Sequence, residues 1–192
     1  MKKIILISGK MGHGKDTFAN FLKSHLEKLN KKVCILHYGD YVKYCLSQYY
    51  GWNGKKDQAG RSLLQHFGTE VVRAKDPDFW VNTIINLINV LSNEWDYFLI
   101  PDTRMENEIE LVKDAFQDKV LTVRIERYNE DSSRYLNPAF SLEQHFHITE
   151  TALDYYHFDY YIDNFTLDEL NSVSETLAVD LEFKEYLKYE LF

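Results

Sequence analysis

The chain has 192 residues, 45% of them hydrophobic and 27% charged, with a formal net charge of −8. That length suits one α/β domain with a sizeable core, residues 1–192, and the acidic balance excludes a general binder of polymeric nucleic acid or of an anionic membrane, since both need a basic face. The two cysteines, Cys34 and Cys45, form no C-x-x-C, no segment is long and apolar enough to span a bilayer, and the apolar run after Lys2-Lys3 is too short for a secretion signal, so reduced thiols in a cytoplasmic setting are expected.

In chain order, residues 3–8 read as a buried strand, followed by Gly9-Lys10-Met11-Gly12-His13-Gly14-Lys15-Asp16-Thr17. This segment fits G-x-x-x-x-G-K, then has Asp-Thr where the general pattern has Ser or Thr directly. A helix is predicted over 15–29, with Phe18, Phe21, Leu22, Leu26 and Leu29 on one stripe. Residues 33–37 read as a second strand, 41–50 as a helix, 51–56 as a polar loop and 58–74 as another helix. Asp76-Pro77 predicts a helix start, with Asp as cap and Pro at the first helical position, running to about Asn93. Residues 95–101 form the third predicted strand, 105–116 a helix and 120–125 the fourth strand. Residues 127–147 are polar and irregular, 158–162 form a fifth strand, and Thr166-Leu167-Asp168-Glu169 is a capping box opening a C-terminal helix. Alternating strands and helices predict a three-layer α/β fold: a five-stranded, mostly parallel sheet with helices on both faces.

Strand, glycine-rich loop, lysine and helix together make a phosphate-binding loop. Glycines let backbone N–H groups turn inward around anionic oxygens, and the helix points its positive end at the same place. The expected ATP-binding set is Gly12, His13, Gly14, Lys15, Asp16 and Thr17, with Lys15 over the β- and γ-phosphates and the Thr17 hydroxyl on an α-phosphate. Asp16 has two readings: a ligand of Mg²⁺, direct or through water, or an acidic residue complementing the helix N-terminus.

In parallel sheets ligands bind at the carboxyl ends of the strands, and Gly9, Asp40, Asp102 and Arg127 all fall just after predicted strand ends. Asp102 follows Tyr97-Phe98-Leu99-Ile100-Pro101 and can orient Mg²⁺, cap the helix over 105–116, or do both. Arg61, Arg73 and Arg104 offer planar forks matched to phosphate oxygens, and Lys10 can reach the acceptor phosphate from within the loop. Arg127 and Arg134 lie in the polar stretch after the fourth strand, where a closing loop would exclude water and offset developing charge. Trp80, Tyr38 and Tyr41 are stacking candidates for a base, against core packing. Glu150 is a weaker candidate, against a helix start. His145 and His147 read as structural or solvated, because alternate positions on a helix do not face one another.

The chain resembles the deoxynucleoside monophosphate kinases of bacteriophages, within the wider group of P-loop nucleoside monophosphate kinases. The resemblance rests on Gly14-Lys15-Asp16-Thr17, on Gly60-Arg61-Ser62-Leu63-Leu64-Gln65-His66-Phe67-Gly68-Thr69-Glu70 with Arg73, and on Asp76-Pro77-Asp78-Phe79-Trp80. Asp102-Thr103-Arg104 with Glu106 and Glu108, and His147-Ile148-Thr149-Glu150, complete it. It implies ATP- and Mg²⁺-dependent phosphorylation of a deoxynucleoside monophosphate, and an acceptor-binding helical region over 40–94 with a lid over 127–150. It also implies a tendency toward homodimers. Site roles then follow: Lys15, Arg127 and Arg134 catalytic; Lys10, Asp40, Arg61, Gln65, Arg73, Trp80, Asp102, Arg104 and Glu150 on the acceptor; Asp16 and Asp102 on the metal. The rivals are a kinase for another phosphorylated metabolite, of dephospho-coenzyme A or phosphomevalonate type, and a non-catalytic ATP-binding module.

Overall fold

The computed structural model describes residues 3–190, the last six of them as backbone alone. The strands are β1 (Lys3–Ser8), β2 (Val33–Ile35), β3 (Tyr97–Ile100), β4 (Val120–Arg127) and β5 (Tyr160–Asn164), and they form one sheet in the order β2-β3-β1-β4-β5. Every pairing is parallel, so the expected mostly parallel sheet is wholly so. The helices are α1 (Lys15–Lys28), α2 (Tyr38–Tyr49), α3 (Gln58–Gln65), α4 (Phe79–Leu91), α5 (Glu106–Phe116), α6 (Leu142–His145), α7 (Ile148–Thr151) and α8 (Leu167–Glu190).

The apolar run of β1 follows from burial on both faces. Alternate side chains enter opposite layers: Ile4 and Leu6 join Phe98 and Ile100 on one side, while Ile5 and Ile7 join Tyr97 and Leu99 on the other. The first layer is closed by α2, α4 and α5 through Val42, Leu46, Ile84, Ile88, Ile109 and Val112. The second is closed by Phe18, Leu22 and Leu26 of α1 against Leu170, Leu177, Ala178 and Leu181 of α8. The stripe predicted on α1 faces the core, with Phe18, Leu22 and Leu26 buried and Phe21 partly so, whereas Leu29 lies past the helix end and is exposed.

Strand ends shift by a few residues, and three helical segments depart from the sequence expectation, the first two because a distant side chain satisfies the local backbone. First, α2 begins at Tyr38, so Tyr38-Gly39-Asp40 is a helical first turn; Asp102 accepts from Tyr38 N at 3.0 Å and from Gly39 N at 2.8 Å. Asp102 therefore caps α2 and not α5. Second, α4 begins at Phe79, two residues later than Asp76-Pro77 implies. Asp76 accepts from Asp78 N at 3.1 Å in a turn that holds Pro77, and Asn107 Nδ2 takes up both Pro77 O and Asp78 Oδ1. Third, the helix predicted over 58–74 is α3 followed by a wider π-helical stretch, His66–Arg73.

The stretch over 127–147 is more ordered than its composition implies. Tyr128 pairs antiparallel with Arg134, and Tyr135 N donates to Arg127 O at 2.9 Å, making a short hairpin. Ser141 then opens α6 with a reciprocal cap, its hydroxyl accepting from Gln144 N and its N–H donating to Gln144 Oε1. Thr166 accepts from Glu169 N at 3.2 Å at the start of α8, as its motif predicts.

Candidate active site

The carboxyl ends of β1, β3 and β4 meet at one edge, and the loop after β1 turns there into α1. Gly14 has φ 95° in the left-handed region, and a Cβ on it would stand 2.6 Å from the Asn164 amide nitrogen. That amide reaches across from the end of β5 to His13 O at 3.0 Å, so glycine is needed for conformation and for space. Gly12 has φ 82° and lies beneath Tyr135 and Asn137. Lys15 folds back over the loop and donates to Lys10 O at 2.9 Å. Burial lowers its pKa to about 7, and the neighbouring Arg104 charge adds to this. Thr17 is half-buried in the first turn of α1.

Beside the loop lies a cavity of about 500 Å³ whose wall includes Met11, Gly12, Lys15 and Asp16 of the loop, Arg61, Gln65 and Arg73 of the helical region, and Asp102, Arg104, Glu108 and Glu150. Its arginines come from separate elements and each has an internal partner. Arg61 Nε donates to Lys56 O at 2.8 Å, and its guanidinium stands 5.8 Å from the Phe140 ring. Arg73 is paired with Glu108. Arg104 is paired with Glu150 and donates to Thr149 O at 3.0 Å. A guanidinium carries five N–H donors, so these contacts fix the forks and leave further donors to face the cavity.

Glu108 and Glu150 do the fixing. Glu108 is buried, pairs with Arg73 and accepts from Arg104 N at 2.6 Å and Met105 N at 3.0 Å; burial raises its pKa. Glu150, also buried, accepts from Met11 N at 2.8 Å and so joins the phosphate loop to Arg104. Asp16 accepts from His37 Nε2 at 2.9 Å, and the Asp16 hydrogen bond raises the His37 pKa. Trp80 contributes to the wall but is 2% exposed, donates to Gly68 O at 3.0 Å and packs on Phe67 and Phe79. Tyr38 is buried and Tyr41 packs on the same core.

Other candidates stand off the cavity. Asp40 is exposed and pairs with Lys43 at 2.7 Å. Lys10 pairs with Asp154 at 2.9 Å. Arg127 donates to Gly12 O at 3.3 Å and lies 4.3 Å over the Tyr135 ring, while Arg134 pairs with Glu126 at 2.9 Å. His145 and His147 bond within their own segment, to Asn137 O and Thr149 respectively. Sequence reading did not single out His37, which the end of β2 places on the cavity wall. It also did not single out Arg124, buried inside β4, which donates to Ser8 Oγ at 3.2 Å and Asp154 at 2.9 Å. For His37 the signal was available, namely its position at the carboxyl end of the strand predicted over 33–37; for Arg124 there was none.

Among the described residues no three His, Cys, Asp or Glu side chains are grouped to hold a metal by themselves. Asp16 and Asp102 both line the cavity. This donor set fits Mg²⁺, which is bound through one or two carboxylates with the remaining ligands from water and substrate phosphates. No helix among the described residues is long and apolar enough to cross a membrane.

Two solved structures share the overall arrangement. A sugar kinase from Janibacter sp. HTCC2649 is 10% identical, with 94% of this chain and 96% of that one covered and a TM-score of 0.55. A gluconokinase from Sinorhizobium meliloti 1021 is 11% identical, with 97% of each chain covered and a TM-score of 0.52. At such identities the likeness is one of fold, the three-layer α/β fold of P-loop kinases. No curated protein matches the chain. The family model for deoxynucleotide monophosphate kinase matches residues 36–173, which takes in the cavity arginines, Asp102 and Glu150, and the chain belongs to that family.

Proposed function

We propose that this protein transfers the γ-phosphoryl group of ATP to the 5′-phosphate of a deoxynucleoside monophosphate. The observation that carries the reading is the convergence of Arg61, Arg73 and Arg104 on one cavity that the phosphate loop with Lys15 also lines. Guanidinium forks held by internal partners, Glu108 for Arg73, Glu150 for Arg104 and the Lys56 carbonyl for Arg61, suit a phosphate that must be gripped at a fixed distance from the donor. Gln65 on the same wall offers an amide to a base edge, and Trp80 adds an aromatic surface.

The acceptor oxygen is already anionic, so no general base is required and the work is positioning and charge stabilisation. Gly12, His13, Gly14, Lys15, Asp16 and Thr17 hold the donor phosphates through backbone N–H groups, the Lys15 ammonium and the Thr17 hydroxyl. Asp16 and Asp102 would hold Mg²⁺, which would supply neutralisation of charge on the donor phosphates. Arg61, Arg73 and Arg104 fix the acceptor, with Lys10, Asp40 and Glu150 at its margin. In this reading residues 40–94 act as the acceptor-binding region and 127–150 as the lid, whose Arg127 stands at Gly12 of the phosphate loop while Arg134, paired with Glu126, reaches the transferring group only on closure.

The test is a coupled ADP-release assay with Mg·ATP and each deoxynucleoside monophosphate in turn, with dephospho-coenzyme A as comparison. Nucleotide-dependent release supports the reading and gives the base preference. Release only with dephospho-coenzyme A assigns a metabolite kinase, and ATP binding without release assigns a non-catalytic module.

A further inference from the structure

The residue before Gly14 is a histidine, and its imidazole is used in a way the loop motif does not require. His13 is 4% exposed. Its Nδ1 accepts from the backbone N–H of Arg127 at 3.2 Å, and its Nε2 lies 3.1 Å from the backbone carbonyl of Tyr135. Arg127 and Tyr135 are the two ends of the hairpin at the start of the proposed lid, and Tyr135 N donates to Arg127 O at 2.9 Å. The ring therefore completes the hairpin base: it receives the free N–H of one strand and donates to the free carbonyl of the other. Nδ1 also lies 3.4 Å from the Ile125 carbonyl, a longer contact than the one to Arg127 N, and the neutral form that satisfies both hairpin contacts has Nδ1 bare and the proton on Nε2. The Arg127 guanidinium lies over the Tyr135 ring and reaches Gly12 O, so the hairpin's arginine is set by the same clamp.

We propose that His13 is a positioning residue that fastens the hairpin base to the phosphate loop and thereby sets where Arg127 stands relative to the donor phosphates. The inference rests on the kinase reading and deepens it, since it assigns the phosphate loop a second task, that of placing a lid arginine. Backbone N–H groups of the loop bind donor phosphate whether or not His13 is present. Arg127 acts on charge that develops during transfer. Loss of the clamp therefore falls on kcat and spares KM for ATP, the pattern of an interaction made only in the transition state. A group displaced by about 1 Å commonly loses on the order of 100-fold in rate.

The experiment joins two readouts on the full-length protein. The first is the imidazole ¹⁵N spectrum of His13 at neutral pH, assigned by its loss in His13→Ala. A neutral ring protonated on Nε2 is expected, and a ring protonated on Nδ1, or on both nitrogens, overturns the clamp. The second is steady-state kinetics of His13→Ala and His13→Asn, after checking that each retains the wild-type circular dichroism spectrum. His13→Ala is expected to lose roughly 10- to 100-fold in kcat with KM for ATP within about threefold. His13→Asn keeps an acceptor near the Nδ1 position and is expected to recover part of the loss. An unchanged kcat in folded His13→Ala, or a loss confined to KM, overturns the proposal. If His13→Ala does not fold, His13→Asn and the wild-type spectrum decide between the same outcomes. A wild-type protein without turnover overturns the kinase reading and this role for His13 with it, whereas an active wild type with the wrong tautomer overturns the clamp alone.

Discussion

Glu150 accepts a hydrogen bond from the backbone N–H of Met11 at 2.8 Å while its other oxygen pairs with Arg104. One buried carboxylate thus ties the rim of the phosphate loop to Arg104, the arginine proposed to grip the acceptor, and fixes the distance between them. Replacing it with alanine leaves a loop N–H and a guanidinium without their partner, which costs about 1–3 kcal/mol of stability. Arg104 also loses its orientation, so KM for the acceptor should rise more than KM for ATP. Glu150→Gln keeps one acceptor oxygen and should lose less on both measures. Chemical denaturation and steady-state kinetics of the pair check this, and an alanine variant with wild-type acceptor KM would sink it.

Lys15 stands in a position that favours function over stability. It is buried, burial lowers its pKa to about 7, and the nearby Arg104 charge pushes the same way. At pH 6 the folded protein must hold that ammonium charged against both effects. The carbonyl it bonds, Lys10 O, also accepts from His13 N at 3.2 Å, so removing the lysine does not orphan it. Lys15→Met should therefore abolish transfer and raise the thermal midpoint of the ligand-free protein by a few degrees at pH 6, with about 1 kcal/mol corresponding to roughly 2–4 °C in a chain this size. A lowered midpoint at that pH would contradict the desolvation argument.

The parts of the site legible in the sequence were those that depend on short spacing. The glycine pattern, the apolar run before it and the helix stripe after it gave the loop its place, and the Thr166 motif gave the start of α8. The partners of the arginines were not legible. Arg73 and Glu108 lie 35 residues apart and Arg104 and Glu150 lie 46 apart, and only the order of the strands brings those pairs together. The same holds for Asp102, whose spacing suggested a cap for the helix that follows it. It caps α2, which precedes it by 64 residues, because β3 ends beside the start of that helix. Asp76-Pro77 carried a genuine start signal that Asn107 overrides by engaging Asp78.

Arg73 and Glu108 form a pair in which the carboxylate side chain is 1% exposed and the guanidinium 13%. Breaking a buried pair by removing one partner leaves an uncompensated charge and typically costs about 3–5 kcal/mol. Arg73→Ala should lose acceptor binding and a large part of the protein's stability together. Glu108→Gln in the same chain removes the buried charge while an amide oxygen can still accept from Arg104 N and Met105 N. The double variant should therefore be more stable than Arg73→Ala alone and equally inactive. Urea unfolding of the two variants checks the order, and a double variant no more stable than the single one rules the account out.

His13 gives the folded protein a specific response to acid. Burial lowers its pKa from the ordinary value of 6.5, and the charges of Lys15 and Arg124 act in the same direction, against the bonds from the backbone that favour protonation. A group whose folded pKa lies below its unfolded pKa contributes stability that is complete above the unfolded value and is lost as pH falls toward the folded one. The unfolded chain takes up a proton near pH 6.5 that the folded ring refuses. His37 behaves in the opposite sense: its pKa is raised by the Asp16 hydrogen bond, so its contribution is complete below pH 6.5 and lost above it. Between pH 6.5 and 5 the His37 contribution is therefore level; Glu108 and Lys15, whose pKa values are also displaced, are common to both proteins, so the slope of the difference between wild type and His13→Gln belongs to His13, with a limit of about 1.4 kcal/mol per pH unit for one proton. The stability difference between wild type and His13→Gln should shrink across that interval, measured as denaturation free energy at half-unit steps. A difference that stays constant from pH 6.5 to 5 would mean that the ring is protonated in the fold as readily as in water, and Arg127 N–H would then have no acceptor on it.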